Sequence, residues 1–300
     1  MPNHYLFMRI SSSYSYIGIK EEIVFGNGKD INQWIIKRDI ERFLFGILYI
    51  FIGLFSSVLY FRRKLNEYLA FGILSLSTGF FYISSRVTGI QHLLFYSDTF
   101  WLYLAISSLS LIPVGIFWLL YHLLIKTKRI ILLLLRIHII YFISVLLMFF
   151  FLPIYISMLF FYPISFVSLL FGIVMLIYES LKGNREARII IFSITINLLA
   201  AIHDILRNFS LLPYDILLGP RAFFILIMSI VYILERRFSE IHKKLELYSR
   251  DLELAKDKLE EKVEERTREL KKSLRKVQTL KYAQDGDYFS AIPALQGIDR

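Results

Sequence analysis

The sequence predicts an all-α membrane protein: seven transmembrane helices, then a long cytoplasmic coiled-coil helix, with a short β-rich extracellular segment at the amino terminus. The chain has 300 residues, of which 56% are hydrophobic, and its mean hydropathy is +0.55. Charged residues make up only 20% of it, against about 25% in soluble domains. They are concentrated at one end, since residues 235–300 hold 16 of the 35 Lys and Arg and 14 of the 25 Asp and Glu. This pattern excludes a soluble enzyme over the first three quarters of the chain, and it excludes a disordered chain.

The first 41 residues carry no signal-peptide pattern, because no basic region with a following apolar run and small-residue cleavage site is present. Residues 4–10 and 14–19 have strand composition, and a turn follows at residues 26–28. We interpret residues 1–41 as the remnant of a larger extracellular β domain.

Seven segments then have the length and composition of membrane spans, for which roughly 20 apolar residues suffice. They are residues 43–61, 68–85, 100–125, 130–152, 157–178, 188–206 and 216–234. We therefore assign residues 42–235 to a seven-transmembrane domain.

Basic residues orient these spans, because cytoplasmic loops carry an excess of Lys and Arg. With the amino terminus outside, twelve basic residues lie on the inner side: residues 62, 63, 64, 126, 128, 129, 136, 182, 185, 188, 236 and 237. Six would lie outside: residues 37, 38, 42, 86, 207 and 221. The prediction is an outer amino terminus and a cytoplasmic carboxyl terminus.

The net charge of +10 could indicate a nucleic-acid partner. Most of the charge lies beside apolar segments, so membrane orientation explains it better, and we expect membrane lipid and no nucleic acid as a partner. The chain has no cysteine, which excludes disulfides, thiolate metal sites and a cysteine nucleophile.

After the last span the sequence predicts a cytoplasmic helix over residues 236–281, continuing from the span to about Leu280. Apolar residues recur three and four apart, which is a heptad seam. The seam comprises Phe238, Ile241, Leu245, Tyr248, Leu252, Ala255 and Leu259, and slips at Val263. We predict a coiled coil that makes the protein a homodimer. The alternative is an amphipathic helix packed on a neighbour.

Within the sixth span, His203-Asp204 with Arg207 and Asn208 forms a polar cluster. Ionisable groups inside a membrane mark functional sites by default. Two roles stay open: an interhelical hydrogen-bond network, or the sensing of a ligand or signal. Asn197, nearer the middle of the membrane, indicates a helix–helix hydrogen bond, and Glu179 indicates an interfacial position near the inner surface.

Asp285-Gly286-Asp287 is the one motif that suggests chemistry, because carboxylate and backbone oxygens suit Mg²⁺ or Mn²⁺. The alternative interpretation is an ordinary turn. The sequence predicts no catalytic residue and no cofactor for this chain.

Together, Tyr5–Ile19 (YLFMRISSSYSYIGI), the seven spans and the helix Val263–Leu270 (VEERTREL) resemble the bacterial seven-transmembrane receptors with diverse intracellular signalling modules, 7TMR-DISM. In that family an extracellular β-sandwich precedes seven spans, and a signalling helix leads to a cytoplasmic output domain. The resemblance implies a multi-pass protein of the bacterial inner (cytoplasmic) membrane that relays an outside signal.

Leu280–Phe289 (LKYAQDGDYF) resembles the entry to a SpoIIE-type, metal-dependent serine phosphatase. In that family the aspartate of the motif holds a catalytic Mg²⁺ or Mn²⁺, which maps onto Asp287. We expect residues 282–300 to be the truncated start of such a domain, so that Asp287 is a metal ligand by resemblance only and the chain is not an enzyme.

The leading functional prediction is therefore a signal-transducing receptor module. The alternative is a polytopic transporter or channel-like protein with a coiled-coil oligomerisation tail. Transporters usually show repeated halves with broken helices, and the sequence contains no such repeat. A light-driven rhodopsin would, by family resemblance, need a lysine in the last span, and residues 216–234 contain none. The ligand cannot be named from the sequence.

Overall fold

Seven helices account for almost all of the residues that the computed structural model describes, which are 27–85, 91, 94–151, 154–208 and 217–284. In chain order they are α1 Gly28–Arg63, α2 Asn66–Ser84, α3 Asp98–Leu123, α4 Lys128–Phe151, α5 Ile154–Leu181, α6 Arg185–Asn208 and α7 Gly219–Gln284. This part of the chain contains no strand, so the prediction of an all-α fold is confirmed for it. The predicted β-rich segments before residue 20 and the Asp285–Asp287 motif lie outside the described residues.

Five helices are long and apolar enough to cross a membrane, among the residues described. They are Ile40–Arg63, Asp98–Leu123, Lys128–Phe151, Ile156–Leu181 and Arg185–Asp204. They correspond to five of the seven predicted spans and show a multi-pass membrane protein. The exceptions are α2 and the first part of α7. Most of α2 is buried in the protein, including Ser75, Ser77 and Thr78, so its hydropathy is lowered by residues that face other helices rather than lipid.

Helix α1 begins earlier than the predicted first span. Residues 28–41, which the sequence interpretation assigned to the β-rich remnant, form its first turns. No glycine or proline interrupts the chain between Gly28 and Gly46, and these are the residues that most strongly break a helix. Helix α1 therefore begins at Gly28, and residue 42 stays the predicted start of the seven-transmembrane domain.

Glycines bring α1, α2 and α3 close together. A Cβ atom at Gly79 of α2 would lie 2.7 Å from the carbonyl oxygen of Gly46 in α1, and a Cβ at Gly53 would lie 2.8 Å from the backbone nitrogen of Leu76. On the other side of α2, a Cβ at Gly115 of α3 would lie 2.8 Å from the backbone nitrogen of Leu74. Small residues permit such backbone contact between membrane helices, so these three helices form a tightly packed unit.

The remaining helices complete the bundle. Buried residues Ile106, Tyr141, Val145 and Phe161 form a core shared by α3, α4 and α5, and α5 packs against α6. The first part of α7 contacts α1, where the rings of Phe224 and Phe45 lie 6.2 Å apart. It also contacts α6, as described below.

Beyond residue 234, α7 forms a separate structural unit. The helix is continuous to Gln284, as the sequence predicts. The seam residues Ile241, Leu245, Tyr248, Leu252, Ala255 and Leu259 are all exposed in the single chain. Ion pairs one turn apart support the helix, among them Arg268 Nη2 donating to Glu264 Oε1 at 2.7 Å, a contact that lowers the pKa of the Glu264 carboxyl.

Candidate functional site

The carboxylate of Asp204 binds the start of α7. Its Oδ1 accepts a hydrogen bond from the backbone N–H of Leu218 at 2.9 Å, and its Oδ2 accepts one from Gly219 at 2.8 Å. The first N–H groups of a helix have no partner within the helix, and the helix dipole places partial positive charge there. Asp204 therefore links α6 to α7 through two charge-assisted hydrogen bonds.

The neighbouring histidine contacts the same carboxylate. His203 Nδ1 lies 3.1 Å from Asp204 Oδ1, and the two side chains are 24% and 16% exposed. An imidazole that carries its proton on Nδ1 gives the carboxylate a third donor. The side chains of Arg207 and Asn208, the other predicted members of this cluster, lie outside the described residues.

Helices α1 and α2 contribute tyrosines to this site. The Tyr49 hydroxyl donates to the carbonyl oxygen of Pro220 at 2.5 Å, and Tyr49 is fully buried. Its ring lies 5.8 Å from that of Tyr82 in α2 and 5.6 Å from that of Phe223 in α7. We call Tyr49, Tyr82, His203, Asp204, Gly219 and Pro220 the Asp204 cluster. Four helices meet there, at one end of the bundle.

Charged side chains surround this end. Arg221 Nε donates to Glu41 Oε1 at 2.6 Å, which joins α7 to α1, and both side chains are exposed. The Arg42 guanidinium lies 5.8 Å from the Tyr82 ring centroid and donates to Ser85 Oγ. Exposed charged side chains therefore border the Asp204 cluster.

Nearer the middle of the bundle, two further polar contacts connect α6 with α7. Asn197 Nδ2 donates to the Ala222 carbonyl oxygen at 3.0 Å, which confirms the predicted helix–helix hydrogen bond. Ser193 Oγ donates to Ser229 Oγ at 2.6 Å. The start of α7 is therefore held by hydrogen bonds along one side of α6.

A second carboxylate occupies a similar position at the opposite end. Glu179 Oε1 accepts from the backbone N–H of Lys126 at 2.5 Å and of Thr127 at 2.9 Å, just before α4 begins. The Thr127 hydroxyl at 3.2 Å and Asn184 Nδ2 at 3.5 Å are its other donors. Glu179 is 1% exposed, so its carboxylate is buried in the protein, and its position near the inner membrane surface stays a prediction. We call Glu179, Lys126, Thr127 and Asn184 the Glu179 cluster.

Sequence reasoning located Asp204 but missed its partners. Tyr49 and Tyr82 resemble many other aromatic residues of membrane spans, and backbone N–H groups have no sequence signature. One signal was available: Gly219-Pro220, because proline in the first turn is typical of a helix start. Asp287, the candidate metal ligand, lies outside the described residues. The seam residues of α7 from Ile241 onward are exposed in the single chain, and their pairing in a coiled coil stays a prediction.

Comparison with known proteins gives one match. The sequence profile of the family described as 7TM diverse intracellular signalling matches residues 38–236. The matched range contains α1 from residue 38 onward, α2 to α6 and the first part of α7, and hence both clusters. No curated protein and no solved structure matches the chain.

Proposed function

The chain belongs to the 7TM diverse intracellular signalling family, and on that basis we propose that it relays a signal from the outer end of its helical bundle through α7 to a cytoplasmic output. The family makes it a membrane signalling receptor module. The steps of the relay, its direction and its output are our proposal.

The observation that carries the proposal is the pair of hydrogen bonds that Asp204 of α6 accepts from the start of α7. This carboxylate holds the first residues of a helix that continues without interruption to Gln284. An event that alters the Asp204 hydrogen bonds changes the restraint on the start of α7. Because the helix is continuous, a rotation or shift of its start reaches the polar segment beyond residue 234.

The proposed orientation places the Asp204 cluster outside and the long helix in the cytoplasm, with seven spans between. It follows the excess of basic residues in the predicted inner loops. Two of the seven proposed spans, α2 and the first part of α7, are not among the five helices that are long and apolar enough to cross a membrane. The buried polar residues of α2 fit a helix between α1 and α3, and the first part of α7 has a charged residue at each end, Arg221 and Glu235.

The proposed active form is a parallel homodimer. The apolar seam is exposed in one chain, and pairing two such seams buries it in a coiled coil. In a dimer, the α7 helices of two receptors lie side by side. A movement at the start of each helix then alters the register or rotation of the paired helices at the end that leads to the output.

Single cysteines test orientation and dimer together, because the chain has none of its own. A cysteine at Leu252 should cross-link two copies in membranes, whereas one at Glu246, on the opposite side of the helix, should not. A cysteine at Lys243 should react with an impermeant thiol reagent only after the cells are permeabilised. Equal cross-linking at both positions, or labelling of Lys243 in intact cells, would contradict the proposal.

A further inference from the structure

A groove with one basic wall lies at the end of α4 and α5 where the Glu179 cluster is found. Its volume is about 680 Å³, and it is lined by residues 125–130 on one side and by Val174, Met175 and Tyr178 of α5 on the other. Lys126, Lys128 and Arg129 are exposed. Three cations therefore line a groove whose opposite wall is largely apolar.

A second groove adjoins the first at Ile130 and runs between α4 and α5 toward the middle of the spans. Its volume is about 530 Å³, and its walls are almost wholly apolar, with Leu133, Ile137, Ile164, Val167 and Phe171 among them. Those five side chains are exposed in the protein or half-buried. Together, the two grooves place cationic side chains at the membrane surface and apolar side chains below them.

The charge at the first groove is predominantly positive. No acid is among its lining residues, and the Glu179 carboxylate behind it is buried and accepts hydrogen bonds from the backbone of Lys126 and Thr127. Lys128 Nζ lies 5.7 Å from the Tyr121 ring centroid, and Lys182 Nζ lies 5.7 Å from the Tyr178 ring centroid. These contacts hold two ammonium groups beside the aromatic rings without neutralising them.

We propose that the two grooves bind one anionic phospholipid, with its phosphate at Lys126, Lys128 and Arg129 and an acyl chain between α4 and α5. Lys and Arg recognise phosphate by charge-assisted hydrogen bonds, and basic pockets between membrane helices on the cytoplasmic side bind anionic headgroups. The cytoplasmic leaflet as the source of the lipid rests on the orientation proposed above. The lipid would hold the α4 start against α5 beside the Glu179 cluster.

The test uses the full chain purified in a neutral detergent and titrated with phosphatidylglycerol, with bound lipid counted by native mass spectrometry. The triple variant Lys126→Gln, Lys128→Gln, Arg129→Gln should bind the lipid roughly tenfold more weakly or worse, since each cation near a membrane surface contributes on the order of a fivefold effect. The matched control is Arg62→Gln, Arg63→Gln, Lys64→Gln, which removes the same charge from the loop between α1 and α2. It should retain the binding of the native chain.

A second variant tests the acyl chain. Val167→Trp fills the apolar groove without changing charge, and it should weaken binding of long-chain phosphatidylglycerol several-fold while sparing a short-chain analogue. The proposal fails if phosphatidylcholine binds as well as phosphatidylglycerol, or if the two triple variants lose binding equally. It also fails if millimolar inorganic phosphate displaces the lipid, because the basic wall would then be a site for free anions. None of these readouts depends on signalling, so failure here leaves the proposed relay untouched.

Discussion

The two ends of the bundle use the same device in different surroundings. At one end Asp204 accepts two backbone N–H groups at the start of α7, and at the other end Glu179 accepts two at the start of α4. Glu179 is buried, and its remaining donors are the neutral groups of Thr127 and Asn184. Asp204 is partly exposed and contacts a histidine. The surroundings, more than the hydrogen bonds themselves, distinguish the two sites.

This difference indicates which end can change state. A buried carboxylate with neutral donors keeps its hydrogen bonds unless the protein unfolds locally, because an unpaired buried charge is unfavourable. A partly exposed carboxylate can exchange a backbone N–H donor for water, an ion or a histidine N–H. The free-energy difference between these two bonded states is smaller than the corresponding difference for a buried carboxylate. We therefore interpret the Glu179 cluster as a fixed connection and the Asp204 cluster as the adjustable one.

The largest effect is expected at the fixed end. Glu179→Ala should lower the free energy of unfolding by about 3 kcal/mol or more, because each donor left unsatisfied in a buried site costs about 1–3 kcal/mol. Thermal unfolding of the purified chain in detergent would show it as a lower midpoint. Glu246→Ala, at an exposed position of α7, is the control and should change little. If the Glu179→Ala protein is as stable as that control, the Glu179 cluster is not a fixed connection, and the proposed difference between the two ends of the bundle is wrong.

Asp204→Ala should have a smaller effect on stability, about 2 kcal/mol. It removes a charged cap from a helix start, and such caps contribute about 0.5–2 kcal/mol, while water can reach part of the vacated site. The same unfolding measurement compares the two substitutions directly. A loss larger than that of Glu179→Ala would show that the Asp204 cluster is the more rigid of the two.

Gly219→Ala tests whether close contact matters at the adjustable end. The added Cβ would lie 2.9 Å from Asp204 Oδ2, and relieving that contact should cost about 1 kcal/mol. In an Asp204→Ala background the same substitution should have almost no effect, because its neighbour is gone. If Gly219→Ala lowers the stability equally in both backgrounds, its effect does not come from the contact with Asp204.

The smallest effect is expected for His203→Gln. One hydrogen bond to a half-buried carboxylate contributes about 0.5–1.5 kcal/mol, and glutamine can replace part of it. Stability should therefore change by about 0.5 kcal/mol or less. A loss of stability as large as that of Asp204→Ala would show that His203 contributes more to this connection than one hydrogen bond.

Sequence patterns predicted the elements whose physics is local. The thickness of the bilayer sets the length of an apolar span, and five spans could be recognised by length and hydropathy. The heptad spacing and the absence of proline before Pro293 predicted a helix beyond the bundle, and α7 reaches Gln284. The pattern before residue 42 did not indicate that α1 begins at Gly28.

The contacts that define the candidate site were not predictable in the same way. Asp204 attracts notice as an ionisable residue in an apolar helix, and helical spacing suggested Arg207 and Asn208 as its partners. Its described partners are backbone groups of Leu218 and Gly219, which are brought near only by the packing of α7 on α6. Glu179 gave no sign of burial, because three of its four donors come from a loop more than 50 residues earlier.

The most direct test of the adjustable connection is a cross-linking profile along the seam of α7 in membranes. Cysteines at Leu245, Tyr248 and Leu252 would be compared with Glu246 in the native background, in Asp204→Asn and in Glu179→Gln. If Asp204 controls α7, Asp204→Asn should change which positions cross-link fastest, and Glu179→Gln should leave their order unchanged. An identical order in all three backgrounds would contradict a relay that begins at Asp204.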